Sequence, residues 1–165
     1  MIKIPTFENI LKIRDLNPSQ ITDTQYINAL KEDADFLSKI PAERITPKMI
    51  DTAIDQDGRK VIDILGSKLT EKNLERIVFN WGPYIGHIKK KLGKNVITQN
   101  IVDSFMKGRY GVALSTWTKI PSKFRTKELL TQIVNTPSYD FHGNKIKGPD
   151  HTELFTKTDW KKFNS

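Results

Sequence analysis

Apolar and polar positions along the chain fall into a phrase that recurs: an apolar residue, a Thr, then an amphipathic run. Its clearest copy reads Ile45-Thr46-Pro47-Lys48-Met49-Ile50-Asp51-Thr52-Ala53-Ile54, and related copies begin at Ile21-Thr22, Leu69-Thr70, Ile97-Thr98 and Arg125-Thr126. The threonines return at intervals of 24, 24, 28 and 28 residues (46 − 22, 70 − 46, 98 − 70, 126 − 98). Self-similarity at a period of roughly 20 to 50 residues marks a stacked array.

Thr is a favoured helix N-cap because its hydroxyl accepts from an otherwise unpaired amide of the first turn. Thr22, Thr46, Thr70, Thr98 and Thr126 all suit that task, and Pro47 suits the first helical position, where its missing donor costs nothing. The pairs Ile21 and Tyr26, Ile45 and Ile50, Leu69 and Leu74, and Ile97 and Val102 have the spacing of a hydrophobic staple. The fifth copy carries Arg125 there instead. One turn further on, Ala29 and Leu30, Ala53 and Ile54, Ile77 and Val78, Phe105 and Met106, and Ile133 and Val134 extend the apolar stripe.

Breaks follow at Asp57-Gly58, Trp81-Gly82-Pro83 and Tyr110-Gly111, with Asp33-Ala34-Asp35 as a weaker counterpart. Gly permits the left-handed conformation that closes many helices, so the spacing predicts turns at these glycines. A shorter apolar run then leads to the next Thr: Phe36, Leu37 and Ile40; Val61, Ile62 and Leu65; Ile85, Ile88 and Leu92; Val112, Leu114, Trp117 and Ile120. Each unit therefore reads as a helical hairpin that cannot bury its stripe alone. The predicted fold is all-α: a right-handed, α-solenoid-like stack of about four to five short hairpins, with repeats starting near residues 21, 45, 69, 97 and 125.

The ends depart from the pattern. Apolar residues at 7, 10, 11, 13 and 16 predict a capping helix over 7–16, ended by Asn17-Pro18-Ser19. The repeat domain is expected to occupy 1–135 and a largely irregular tail 136–165. Residues Tyr139 to Lys147 alternate weakly around Gly143-Asn144, as a small β-hairpin does, and Leu154, Phe155, Trp160 and Phe163 would dock the tail on the repeats. From 21 to 134 the order of apolar-Thr, helix, Gly-containing turn, short helix and Ile-Pro resembles the tandem helical-hairpin repeats of undefined function found in viral, protist and bacterial effector proteins. That resemblance implies a fold and no chemistry.

Composition narrows the classes. No stretch approaches the roughly 18 consecutive apolar residues of a membrane span, and the start Met1-Ile2-Lys3-Ile4-Pro5 shows neither the apolar core nor the small-residue cleavage site of a secretory signal, so none is expected. With no Cys, thiolate metal sites, disulfides and thiol nucleophiles are excluded. His87, His142 and His151 lack the spacing of paired ligands on one helical turn, so no metal or cofactor is expected. His142 with Asp140 and His151 with Asp150 read more simply as surface loop residues. Phosphate-cradling glycine loops and nucleophile elbows are also missing, and no enzymatic activity is expected. A Lys-, Ile- and Asn-rich composition fits an AT-rich genome such as that of a phage or another parasite, and the expected location is the cytoplasm, of the host if phage-encoded.

Charge changes the picture further. Residues 1–22 hold 3 basic and 2 acidic groups, 23–57 hold 4 and 8, 58–130 hold 15 and 5, and 131–165 hold 5 and 4, for nets of +1, −4, +10 and +1. The richest segment, Phe79 to Asn95, sets Trp81, Tyr84 and His87 beside Lys89, Lys90, Lys91 and Lys94. Arg59, Lys60, Lys107 and Arg109 occupy the turns of the second and fourth copies, where alignment along one edge would make a positive ridge. Lysines beside aromatics suit single-stranded nucleic acid, but a Trp at a turn usually closes a core and Lys lacks the bidentate geometry of Arg. The expectation is therefore a scaffold that binds a protein partner, acting on host machinery if it is a phage or parasite factor. The alternative is a nucleic-acid-binding module using the Lys-rich ridge; no membrane partner is expected.

Overall fold

Five threonines each accept a hydrogen bond from the amide three residues ahead. The donors are Gln25 at 3.3 Å to Thr22, Met49 at 3.3 Å to Thr46, Asn73 at 3.3 Å to Thr70, Ile101 at 3.4 Å to Thr98 and Leu129 at 3.2 Å to Thr126. Two caps are reciprocal, because Gln25 Oε1 accepts from the Thr22 amide at 2.8 Å and Asn73 Oδ1 from the Thr70 amide at 3.0 Å. The computed structural model describes residues 8–13, 15–108, 118–129, 131, 138–139, 145–146 and 161.

The helices are α1 (Glu8–Ile13), α2 (Asp23–Glu32), α3 (Pro47–Leu65), α4 (Glu71–Asn80), α5 (Ile85–Leu92) and α6 (Gln99–Met106). Residues 127–129 and 131 are also helical. The described residues are thus mainly helical, in agreement with the all-α expectation. Strands β1 (Ser138–Tyr139) and β2 (Lys145–Ile146) pair antiparallel, Ser138 opposite Ile146 and Tyr139 opposite Lys145. The turn at Tyr110-Gly111, the run Val112, Leu114 and Trp117, and the tail aromatics Phe155, Trp160 and Phe163 lie outside the described residues.

A 3₁₀ turn precedes every cap: Pro18–Gln20, Ala42–Arg44, Gly66–Lys68, Lys94–Val96 and Ser122–Phe124. In each, the residue before Thr donates back across the turn, from Ile21 to Pro18 at 3.4 Å, Ile45 to Ala42 at 3.3 Å, Leu69 to Gly66 at 3.2 Å, Ile97 to Lys94 at 3.4 Å and Arg125 to Ser122 at 3.1 Å. Such turns are compact connectors with short-range hydrogen bonds. Gly66 (φ 52°) and Gly93 (φ 92°) open two of them in conformations that a Cβ disfavours.

The breaks fall at the expected sites, but through an extended first residue and not through a left-handed Gly. The extended residues are Asp33 (φ −150°, ψ 118°), Asp57 (φ −157°, ψ 96°) and Trp81 (φ −141°, ψ 62°), each 11 residues past its Thr (33 − 22, 57 − 46, 81 − 70). Asp33 Oδ1 accepts from the Asp35 amide and Asp57 Oδ1 from the Arg59 amide, both at 2.9 Å. An extended Asp can therefore end one helix and cap the next, and no left-handed Gly is needed. Gly58 and Gly82 are buried after these breaks. In the first copy the segment after the break, Ala34–Lys39, is 3₁₀ rather than α-helical.

The chain forms two compact units, Met1–Ile77 and Val78–Ser165, with the boundary inside α4. In the first, α2 and the 34–39 segment pack on α3, burying Tyr26, Leu30, Leu37, Met49, Ile54 and Ile62. Contact of α1 with α2 is reinforced by Glu32, whose carboxylate accepts from the amides of Asn9 at 3.1 Å and Ile10 at 3.2 Å. These are unpaired first-turn donors of α1. In the second unit Ile85, Ile88, Ile97, Ile101, Phe105 and Ile120 are fully or almost fully buried. Three staple pairs are buried in full, whereas Ile45 and Ile50 are half-buried.

Candidate binding surface

Helix α5 is amphipathic with a cationic end. Ile85 and Ile88 are buried, while Lys89, Lys90 and Lys91 follow in its last turn, where positive charge is favoured by the helix dipole. Successive residues are about 100° apart around a helix, so the three lysines fan outward. Lys89 is half-buried, Lys90 and Lys91 are exposed, and exposed Lys94 lies in the turn that follows. The stem of Lys119 lies against α5 at Gly86, where any added Cβ would fall 2.5 Å from Lys119 Cδ, bringing a further cation to this surface.

Trp81 and Tyr84 introduce the helix. Their rings stack on one another, 6.0 Å between centroids and 20° between planes, and both residues are half-buried. They close the break before α5 and leave less ring face open than two splayed aromatics would. His87 is half-buried on α5, Lys107 is exposed just beyond α6, and Arg109 lies outside the described residues.

Arg59 and Lys60 belong to the first unit. Arg59 is exposed and its amide serves the Asp57 cap. Lys60 reaches back one copy to bind Asp33 at 3.0 Å and Asp35 at 2.5 Å. Hydrogen bonds to Asp35 and Asp33 raise the Lys60 ammonium well above its ordinary pKa. Burial alone would raise the Asp33 carboxyl, but the Asp35 amide and the Lys60 ammonium outweigh it and hold Asp33 below its usual value. Lys60 therefore spends its charge on joining two copies.

Two arginines of this unit are also answered by carboxylates. Arg44 bonds Asp23 at 2.8 Å and the Pro18 carbonyl at 2.7 Å, with its guanidinium 5.0 Å from the Tyr26 ring centroid. Arg76 bonds Asp55 at 2.6 Å and lies 3.8 Å from Asp51; the hydrogen bond to Asp55 raises its pKa. The first unit holds 12 basic and 13 acidic residues, net −1, and the second holds 15 and 6, net +9. The whole excess of positive charge is in the second unit.

Between residues 78 and 131 the acidic residues are Asp103 and Glu128. Both line a cleft of about 280 Å³ with Val102, Met106, Phe124 and Leu129. Gln99 Nε2 donates to Asp103 at 2.7 Å, and its own amide together with Thr126 lowers the pKa of Glu128. Neither acid forms an ion pair with Lys89, Lys90 or Lys94 among the described residues. Arg125 is engaged locally: it donates to the carbonyls of Ile120 at 2.9 Å and Thr118 at 3.1 Å. That local role accounts for an Arg where other copies have a staple residue.

Sequence reasoning marked the run from Lys89 to Lys94 but passed over Lys119, Lys68 and Lys72. Lys119 depended on an approach to Gly86 from 33 residues away (119 − 86), and no local pattern carries that. Among the described residues no group of three or more His, Cys, Asp or Glu could hold a metal ion, and no helix is long and apolar enough to cross a membrane. His142 and His151 lie outside the described residues. No protein-family model matches the chain, and neither a curated protein nor a solved structure matches it.

Proposed function

We propose that the chain is a non-catalytic helical-repeat protein whose copies stack in a right-handed, solenoid-like array and whose second unit docks on an acidic protein partner. One observation carries this: Arg44, Lys60 and Arg76 are answered by carboxylates within the first unit, whereas a cluster of lysines in the second is not. Lys60 and Arg76 each bind an Asp of the preceding copy and Arg44 binds Asp23 of its own, whereas Lys89, Lys90 and Lys94 have no carboxylate partner among the described residues. An uncompensated patch on a unit of net +9 attracts anionic surfaces over about one Debye length, roughly 8 Å at physiological ionic strength. Complementary charge of this kind speeds encounter and selects the partner more than it sets the final affinity.

The array supplies extended surface in a scaffold role, and the Lys-, Ile- and Asn-rich composition fits a phage or parasite factor acting on host machinery in the host cytoplasm. A nucleic acid is the second candidate, favoured by the nearness in sequence of Trp81 and Tyr84 to the lysines. Stacking of the two rings on each other at 6.0 Å weakens it, because base stacking needs an open ring face. The discriminating experiment is capture from nuclease-treated lysate with the wild-type chain and a K89E/K90E/K94E variant of unchanged circular dichroism. Wild-type retention of acidic proteins that survives nuclease and is lost in the variant is expected. Retention that disappears with nuclease would replace the acidic protein with nucleic acid.

A further inference from the structure

Equivalent positions in the first two junctions between copies carry the same charge with different company. Two residues before Thr46 stands Arg44, and two before Thr70 stands Lys68. One residue after the preceding cap stands Asp23 at the first junction and Pro47 at the second. Arg44 binds Asp23 at 2.8 Å, closing the first junction from within. At the second junction the cation remains and its carboxylate is gone.

A groove of about 400 Å³ lies there, with Pro47 and Ile50 from α3 on one side and Lys68, Lys72 and Arg76 on the other. Asp51 also lines it, but Arg76 stands 3.8 Å from Asp51 and 2.6 Å from Asp55, so these three charges answer one another. Lys68 and Lys72 have no ion-pair partner among the described residues. Both are exposed, and Lys72 lies in the first turn of α4, whose dipole also favours an anion. Apolar surface at Pro47 and half-buried Ile50 sits beside the two ammonium groups.

We propose that this groove docks a Glu or Asp side chain of an extended segment of the acidic partner, with an adjacent apolar residue against Pro47 and Ile50. The incoming carboxylate takes the place that Asp23 holds toward Arg44. The proposal rests on the acidic-partner reading above and adds a second contact in the first unit, away in sequence from the lysines of α5.

The test is an amide-resolved NMR titration of the full chain with a blocked Glu-Leu-Glu-Leu-Glu-Leu peptide at low salt. Shifts are expected at Ile50 and at Lys68 to Asn73. P47D, which supplies the missing carboxylate from within, should weaken that response at least tenfold while leaving the circular dichroism intact. K68M, which leaves the α3 cap untouched, should weaken it as well. Shifts confined to Lys89 to Lys94 and unchanged by P47D and K68M would overturn the groove and leave the acidic-partner reading standing. No response to the peptide anywhere, with a strong response to a single-stranded oligonucleotide, would overturn both. Stronger competition by the oligonucleotide at Lys68 to Asn73 would overturn the groove's assignment to a carboxylate.

Discussion

Replacing Thr70 with Ala removes the acceptor of the Asn73 amide at the start of α4. Thr70 Oγ1 also meets Asn73 Oδ1 at 2.8 Å, and the Thr70 amide donates to that same oxygen at 3.0 Å, so the two side chains form one reciprocal unit. Loss of a Thr cap costs about 1 kcal/mol, within a range of roughly 0.5 to 2. Both residues have access to water, Thr70 exposed and Asn73 half-exposed, so water repairs part of the loss and the middle of that range applies. For a chain of 165 residues, ~1 kcal/mol corresponds to a fall of roughly 2–4 °C in Tm. N73A alone should cost less, about 0.5 kcal/mol, because it strips the backbone of one exposed acceptor. The double variant T70A/N73A should cost less than the sum of the two, since each single change already breaks the shared unit. T70S keeps the hydroxyl and should stay near wild type. Thermal melts followed by circular dichroism at 222 nm measure all four. A T70S loss as large as that of T70A, or a T70A melt indistinguishable from wild type, would refute the capping role.

Gly93 carries φ 92° and ψ 163° where α5 gives way to the next turn. G93A should cost about 1–3 kcal/mol in backbone strain and lower Tm by several degrees in the same melts, whereas K94A beside it should be nearly silent. The Asp33 carboxyl has a lowered pKa, so its stabilising contribution is present above the ordinary carboxylate value of about 3.9 and is lost as pH falls through its folded value. Lys60, whose pKa is raised, contributes below about 10.4 and ceases to as pH rises through its folded value. Wild type should therefore lose stability at both extremes, by no more than about 1 kcal/mol for this solvent-accessible pair. K60M should flatten both limbs of a Tm-against-pH curve, and an unchanged curve would remove Lys60 as the link between copies.

Local chemistry was legible in the sequence because it acts over three or four residues. A Thr at the start of an amphipathic run needs only its own hydroxyl and the amide of its third neighbour, and all five caps are present. The breaks were visible but their cause was not, since Asp57 satisfies the backbone by capping where a left-handed Gly58 was expected. The five 3₁₀ turns were missed for a different reason. Pro18-Ser19-Gln20, Gly66-Ser67-Lys68 and Lys94-Asn95-Val96 have no residue common to all three; what they share is position before the cap. Pairing of Lys60 with Asp33 spans 27 residues and exists only once two copies are side by side. That is why Lys60 read as part of an exposed ridge although its charge is answered. The lysines of α5 were legible as a run, but the contrast between Lys89, Lys90 and Lys94 and the paired Arg44, Lys60 and Arg76 became visible only in the structure.

The central claim is that the unmatched cations of the second unit recruit an acidic protein. Its most direct test is affinity capture with mass spectrometry, comparing wild type with K89E/K90E/K94E, each with and without nuclease. The expected result is a set of acidic proteins held by wild type in both conditions, reduced at least tenfold by the charge reversals. Equal capture by wild type and variant, or capture that vanishes with nuclease, would contradict it.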